Sequence, residues 1–483
     1  MLACLAMAGA TADAATYHVA PNGSDTNSGT AAQPWRTLQK AASAVRAGDV
    51  VLVTDGTYAG MQITADGTAS APIVFRANGA NVRVVTPNAS TPDNINIEGG
   101  NYVTVEGFVV EDAPRIGIRA VTATGVRITG NRVARSGLTG ILTGFTPAIE
   151  IAGNVVSESE QEHGIYVSNS AVAGDNPVIR DNECRDNAKN GIQLNGDCAA
   201  GGDGVISGAL IERNVVHHNN WKGLSIISVQ ASMIRNNLIF ENGLSAGAGG
   251  IHLADEPGCG RPSNNNCVVN NTIHEPRITG IRLSNGSTGN TIFNNLVVAV
   301  SASKAIVDEG SGNAIQTGSN LELGSVLGLF VGTGDYHLAG TSPAVDQAAL
   351  DYQGLEAPPT DIDGTQRPQG ALPDIGAYEY MLATGVAPVP SNGIRLHQNV
   401  PNPFNPSTRI AFDVPASEVV HLYVYNVAGL RVRTLIPGRP LAGHVVVEWD
   451  GRDDGGRALP SGVYFCQLVT RDAAVTRRMT LLK

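Results

Sequence analysis

The chain has 483 residues, of which 42% are hydrophobic, 16% charged and 5% aromatic, with 57 glycines and a formal net charge of −11. This composition is too apolar for a disordered chain, and its acidity argues against nucleic acid and anionic membrane surfaces as partners. No run is long enough to span a membrane, and any anionic ligand would depend on local Lys and Arg.

The chain opens with "MLACLAMAGATADAA", apolar and ending in two A-x-A patterns, which reads as a signal peptide over 1–14 without its basic start. That places the rest in an oxidising compartment. Cys259 and Cys267 bracket the loop "CGRPSNNNC", so a loop-closing disulfide is expected between them. No C-x-x-C occurs, which disfavours a cysteine zinc site. Next, "PWRTLQKAASAV" predicts a short amphipathic helix suited to covering an exposed sheet edge.

Internal repetition dominates the middle of the chain. Seven segments open alike, "IGIRA", "TGILT", "HGIYV", "NGIQL", "KGLSI", "GGIHL" and "TGIRL", with glycines at 117, 140, 164, 191, 223, 250 and 280. A second series runs in phase, with asparagines Asn131, Asn154, Asn182, Asn214, Asn237, Asn271 and Asn295. Each is preceded at three residues by an apolar residue, from Ile128 to Ile292. Each is followed at two residues by another, from Val133 to Val297, and Cys184 fills one of these core slots. Repeats of this length with two short strand patterns and no helical period predict a parallel β-helix, one coil per repeat. Asparagines stacked at a bend would hydrogen-bond from coil to coil, using their tolerance of left-handed backbone angles.

The stretch from "YHVAPNGSDTNSGTAAQPWRTLQKAASAVRAGDVVLVTDGTYAG" through these coils resembles the secreted right-handed parallel β-helix proteins of the pectate-lyase-like superfamily, over roughly 16–330. The fold expected is therefore all-β: a right-handed parallel β-helix over 15–330 with a capping helix. The resemblance is specific for this fold and much less so for a reaction; an acidic polysaccharide as partner and β-elimination as chemistry are expected from the side chains on the outward face.

Alternation along each coil sends the first and third residues after each glycine inward and the second outward. With coils about 4.8 Å apart, equivalent positions form rows. The row two residues after glycine holds Tyr166, Gln193, Ser225, His252 and Arg282. The row just before glycine holds His163, Asn190 and Lys222, with Trp221 adjoining. Lys and Arg can pair with uronates, Asn and Gln can bond hydroxyls, and Trp and Tyr can stack on sugar rings. The expected catalytic group is Lys222 as base, with His163 and Tyr166 as acid or stabiliser, around one solvent-lined site. Asn190, Gln193, Trp221, His252 and Arg282 are expected to bind substrate. The competing expectation is a non-catalytic, glycan-binding or adhesive surface protein whose solenoid face is merely polar.

The calcium-dependent pectate lyases of that superfamily carry aspartate clusters before the corresponding glycines, where this chain has His163, Asn190 and Lys222. Asp197 and Asp203 in "NGDCAAGGDG" are the remaining candidates for Ca²⁺. The paired aspartates and Gly-His-Gly of polygalacturonase-type hydrolases are absent, which disfavours hydrolysis.

Residues 331–380 resemble the segment that closes secreted bacterial β-helices, and its "DIDG" reads as either a cation loop or a turn. A linker follows over 381–393. From "LHQNVPNPFNPSTRIAFDVP" to "MTLLK", the segment 394–483 resembles type IX secretion sorting domains and the related flagellar hook-cap Ig-like domain. That resemblance implies a small β-sandwich that engages secretion or anchoring machinery. The protein is expected to be monomeric and secreted or held at the cell surface.

Overall fold

The structure is a computed structural model; it describes residues 14–168, 174–245, 249–284, 286–381, 395–397, 399, 401–402, 404–426, 431–470 and 474–481. The expected signal peptide and nearly all of the expected linker lie outside the described residues. The chain divides into two compact units, 1–382 and 383–483.

The first unit is a right-handed parallel β-helix. Its glycine-led strands form one ten-stranded parallel sheet, from Met61–Ile63 to Ile306–Asp308. Strands on either side of each asparagine pair likewise from coil to coil, Val155–Ser157 on Glu183–Arg185 and then on Val215–His217. The inward positions pack as the alternation predicts: Ile165, Ile192, Leu224, Ile251 and Ile281 are buried, with Leu194, Ile226, Leu253 and Leu283 beside them. Cys184 is fully buried between Val156 and Val216. Helix Leu38–Ala44 covers the first coil with Leu38, Ala41 and Ala42, and the Thr37 side chain caps it by accepting from the Lys40 N–H.

Glycine recurs because neighbouring coils leave no room for a side chain. A Cβ on Gly164 would sit 2.7 Å from the carbonyl oxygen of Gly191 and 2.7 Å from Nδ2 of Asn187.

The asparagine ladder forms as expected. Each Nδ2 donates to Oδ1 of the next asparagine, from Asn131 to Asn154 (3.1 Å) and on to Asn271 and Asn295 (2.9 Å), and Asn320 adds one more step at 3.0 Å. The expectation about backbone angles needs correction. The left-handed residues are those just before the ladder: Gly130, Gly153, Asp181, Arg213, Asn236, Asn270 and Asn294. The preceding residue makes the bend, and the ladder residue keeps its side chain inside, where its amide satisfies otherwise buried backbone groups. A second ladder follows five residues later, Ser159–Asn187–Asn219–Asn242, and ends on Glu275.

The disulfide joins Cys198 to Cys259, not Cys259 to Cys267. Cys267 lies in a strand pairing with Met233–Arg235, where its side chain is buried as a free thiol. The bond therefore ties together two insertions that leave the glycine-led sheet on different coils.

The closing segment packs along the solenoid: Asn270 Nδ2 donates to the carbonyls of Asp374 and Gly376, and the Ala377 N–H donates to Thr272 Oγ1. Its "DIDG" is a turn, since Asp361 Oδ1 accepts from the N–H groups of Asp363 and Thr365.

The second unit is a five-stranded antiparallel sheet built on two long strands, Thr408–Asn426 and Arg431–Trp449. Their pairing shifts register between Val414 and Glu418 and again after Val420, and such bulges bend a sheet. Phe404, Phe412, Leu422, Trp449, Tyr464 and Met479 form its core.

Candidate functional site

The outward rows exist in the register read from the sequence: Tyr166 pairs with Gln193, Gln193 with Ser225, Ser225 with His252 and His252 with Arg282. Outward does not mean wet on this face. Ser225 is fully buried, and His163 is only 4% exposed.

One cavity of about 410 Å³ opens on this face. Its lining follows from a row that reading the sequence at the two flanking positions misses. Leu138, Glu162, Lys189 and Trp221 each stand two residues before a coil's glycine, and they stack through backbone hydrogen bonds from each N–H to the carbonyl one coil back. Thr139 and His163 add to it from the row before glycine, and Leu142, Tyr166 and Gln193 from the row after. In the sequence its members recur in phase with the residues just before each glycine.

Glu162 organises the charges. Its Oε1 holds Lys189 Nζ at 2.5 Å, and its Oε2 lies 3.2 Å from His163 Nε2. Lys189 also stands over the Trp221 ring, 5.1 Å from its centroid. His163 Nδ1 accepts from the Asn190 N–H at 3.2 Å, and Tyr166 meets the imidazole edge-on at 5.2 Å. Burial first, then the charges of Lys189 and Lys222, push the His163 pKa down to about 3, so this imidazole is neutral at physiological pH. Tyr166 is half-buried, and its hydroxyl accepts weakly from Asn195 Nδ2 at 3.5 Å, which leaves its own proton available to donate.

His163, Tyr166 and Lys222 are expected around one solvent-lined site. The cavity takes the first two, but Trp221 occupies the lining position on the Lys222 coil. Lys222 lies half-buried beside it, with Nζ 3.5 Å from Ser225 Oγ and no carboxylate partner among the described residues. Burial and the charge of Arg282 lower its pKa below that of a free lysine.

Gln193 and Trp221 line the cavity as candidate binding residues. Asn190, expected as a hydroxyl partner, is buried and engaged: its Nδ2 donates to Gln193 Oε1 at 2.7 Å and its Oδ1 accepts from the Lys222 N–H. His252 is buried, bonded to Ser284 Oγ through Nε2, and held near pKa 3 by burial and by Lys222 and Arg282. Arg282 is paired with Glu309 at 2.9 Å.

Asp197 opens a turn of 3₁₀ helix in a left-handed conformation, and Asp203 Oδ1 accepts from the Val205 N–H. Among the described residues no group of three or more His, Cys, Asp or Glu side chains gathers as metal ligands. Two loop carboxylates fall short of the six to eight oxygens that Ca²⁺ takes.

Comparison with known proteins agrees with this architecture. Residues 17–146 match the family described as Pel9A-like, right handed beta helix region; residues 196–320 match the right handed beta helix region, and 401–473 the FlgD Ig-like domain. Over 233 residues the chain is 26% identical to the uncharacterized protein YwoF of Bacillus subtilis (strain 168), covering 46% of each. It is 43% identical over 67 residues to pectate lyase PEL9 of Emericella nidulans, covering 13% of this chain and 16% of that protein. The chain thus spans less than half the length of these curated relatives. The crystal structure of pectate lyase Pel9A superposes with a TM-score of 0.54 at 15% identity, covering 76% of this chain and 96% of that one. The solenoid has the fold of pectate lyase Pel9A, joined to a unit matched by the FlgD Ig-like domain.

Proposed function

We propose that the protein is a polysaccharide lyase that cleaves a uronate-containing glycan by β-elimination on the glycine-led face. The observation that carries this reading is Lys222: a cation with a lowered pKa and no carboxylate partner among the described residues, beside a cavity walled by Tyr166 and Trp221. A free amine there would take the proton from the carbon α to the uronate carboxylate. The electron pair forms the new double bond as the glycosidic C–O bond breaks, and the Tyr166 hydroxyl supplies the proton to the departing oxygen. Neutral His163 packs against Tyr166 and holds it in place. Trp221 and Leu142 give a sugar ring an apolar surface, and Gln193 offers its amide to hydroxyls.

One observation favours a second reading, glycan binding without cleavage. Lys189 and Arg282 are both neutralised by carboxylates, which leaves few charges to stabilise a developing carbanion. Incubation with a panel of polyuronates, followed by ultraviolet absorbance of the unsaturated product, separates the two. Product supports the lyase; binding to a glycan without product supports the binding protein.

The Ig-like unit is assigned to export or anchoring at the cell surface, in keeping with the "VYNVAGLRVRTL" and "WDGRDDGGRALPSGVYF" patterns. Among the described residues no helix is long and apolar enough to cross a membrane. The proposed setting is secreted or surface-held. Deleting 394–483 should leave the solenoid folded and change where the protein ends up; loss of cooperative unfolding in the truncated chain would refute this.

A further inference from the structure

Away from the glycine-led face, the strand Val215–His217 ends on a histidine and a second follows it, with a left-handed φ of 54°. Their Nδ1 atoms face each other at 2.7 Å. The other nitrogens each face a carboxylate: His217 Nε2 lies 3.5 Å from Glu183 Oε1, and His218 Nε2 lies 3.0 Å from Glu241 Oε2. The His217 ring is stacked on Phe240 at 4.6 Å, within 6° of parallel.

A neutral imidazole has one N–H. If both Nε2 atoms carry it toward their carboxylates, two lone pairs oppose each other at the Nδ1 contact. If one proton moves into that contact, an Nε2 lone pair faces a carboxylate instead. Either way an acceptor meets an acceptor, and a cation shared by the two Nδ1 atoms, a proton on their axis or a metal ion to one side of it, removes the conflict.

We propose that His217 and His218 chelate a divalent transition-metal ion through their Nδ1 atoms, with water in its remaining positions. Metal–nitrogen bonds of roughly 2.0–2.1 Å place two ligands roughly 2.9 Å apart at a right angle and roughly 3.3 Å apart at a tetrahedral one. The observed separation suits adjacent positions of a tetragonal or octahedral ion, so Cu²⁺ or Ni²⁺ fits better than tetrahedral Zn²⁺. Glu183 and Glu241 stand where outer-shell carboxylates orient metal-bound imidazoles and offset the ion's charge. Stacking on Phe240 fixes one ring, and the partly exposed side chain of His218 leaves an entry path. Nothing about this site depends on the lyase reading.

The test titrates CuCl₂ into the full chain, prepared without a histidine tag, by calorimetry and electron paramagnetic resonance. One Cu²⁺ should bind per chain in the micromolar range, with couplings from two imidazole nitrogens. His218→Asn keeps a residue at ease with left-handed angles and should weaken binding at least tenfold; His217→Gln should do the same. His337→Gln, at a histidine between two aspartates elsewhere, should leave it unchanged. Absence of micromolar binding would overturn the proposal, as would binding that survives His218→Asn in a variant with native circular dichroism. Proton uptake by the pair without metal affinity would overturn it equally.

Discussion

The Asn190 backbone N–H donates to His163 Nδ1 across the boundary between two coils, at 3.2 Å. A nitrogen that accepts cannot carry the proton, so the neutral ring holds it on Nε2, facing Glu162. The same contact draws His163 out of solvent and makes it a structural partner of Tyr166 before it is anything else.

The buried imidazole should make the protein acid-sensitive. The folded pKa of His163 lies near 3 and the ordinary value is 6.5, so the unfolded chain binds more protons between them. Stability is then full above 6.5 and falls as pH drops toward 3, and His252 adds to the loss in the same window. Urea unfolding between pH 7 and 4 should show a shallower slope in His163→Gln than in the native chain. Identical slopes would contradict this.

Glu275 should act in the opposite direction. Its carboxyl is fully buried at the end of the second ladder, where it accepts from Asn242 N–H and Nδ2, and burial raises its pKa to about 8. The protonated form is stable when buried, so stability is full below 4.5 and is lost as pH rises through 8. Glu275→Gln keeps an acceptor for Asn242 and should remove this alkaline loss, measured as melting temperature from pH 6 to 9.

Asn214→Ala should be among the costliest substitutions in the solenoid. It orphans the N–H of Asn182 and one of its two Nδ2 hydrogens, the other still bonding the Ile151 carbonyl, and each buried donor left unmet costs about 1–3 kcal/mol. Denaturant unfolding should show a loss of at least about 2 kcal/mol; a change within about 0.5 kcal/mol would mean that water or relaxation replaces the ladder.

Peptide mapping without reduction should recover Cys198 joined to Cys259, with Cys184, Cys267 and Cys466 alkylated only after denaturation, because all three are buried.

The solenoid could be read from the chain because its signals are periodic. Gly164 and Asn182 each recur once per coil, and a repeated requirement leaves a repeated residue. The second ladder was as visible, five residues on at Asn187, Asn219 and Asn242. The disulfide was not legible, since partners 61 residues apart meet only once the coils are stacked, and proximity in sequence pointed to Cys267 instead. Glu162 and Lys189 escaped because they stand one position outside the rows that strand alternation selects. The burial of His163 and Asn190 depends on how neighbouring side chains fold over one another, which alternation within a single strand does not specify.

The central claim is that Lys222 removes a proton from a uronate, and one comparison tests it most directly. Wild type and Lys222→Ala are incubated with the same polyuronate, and ultraviolet absorbance of the unsaturated product is followed. The account predicts product from wild type and a rate lower by about 10²–10⁴-fold in the variant, the range by which a positioned base acts, with a nearly unchanged melting temperature. Equal rates from the two proteins, or no product from any polyuronate, would contradict it.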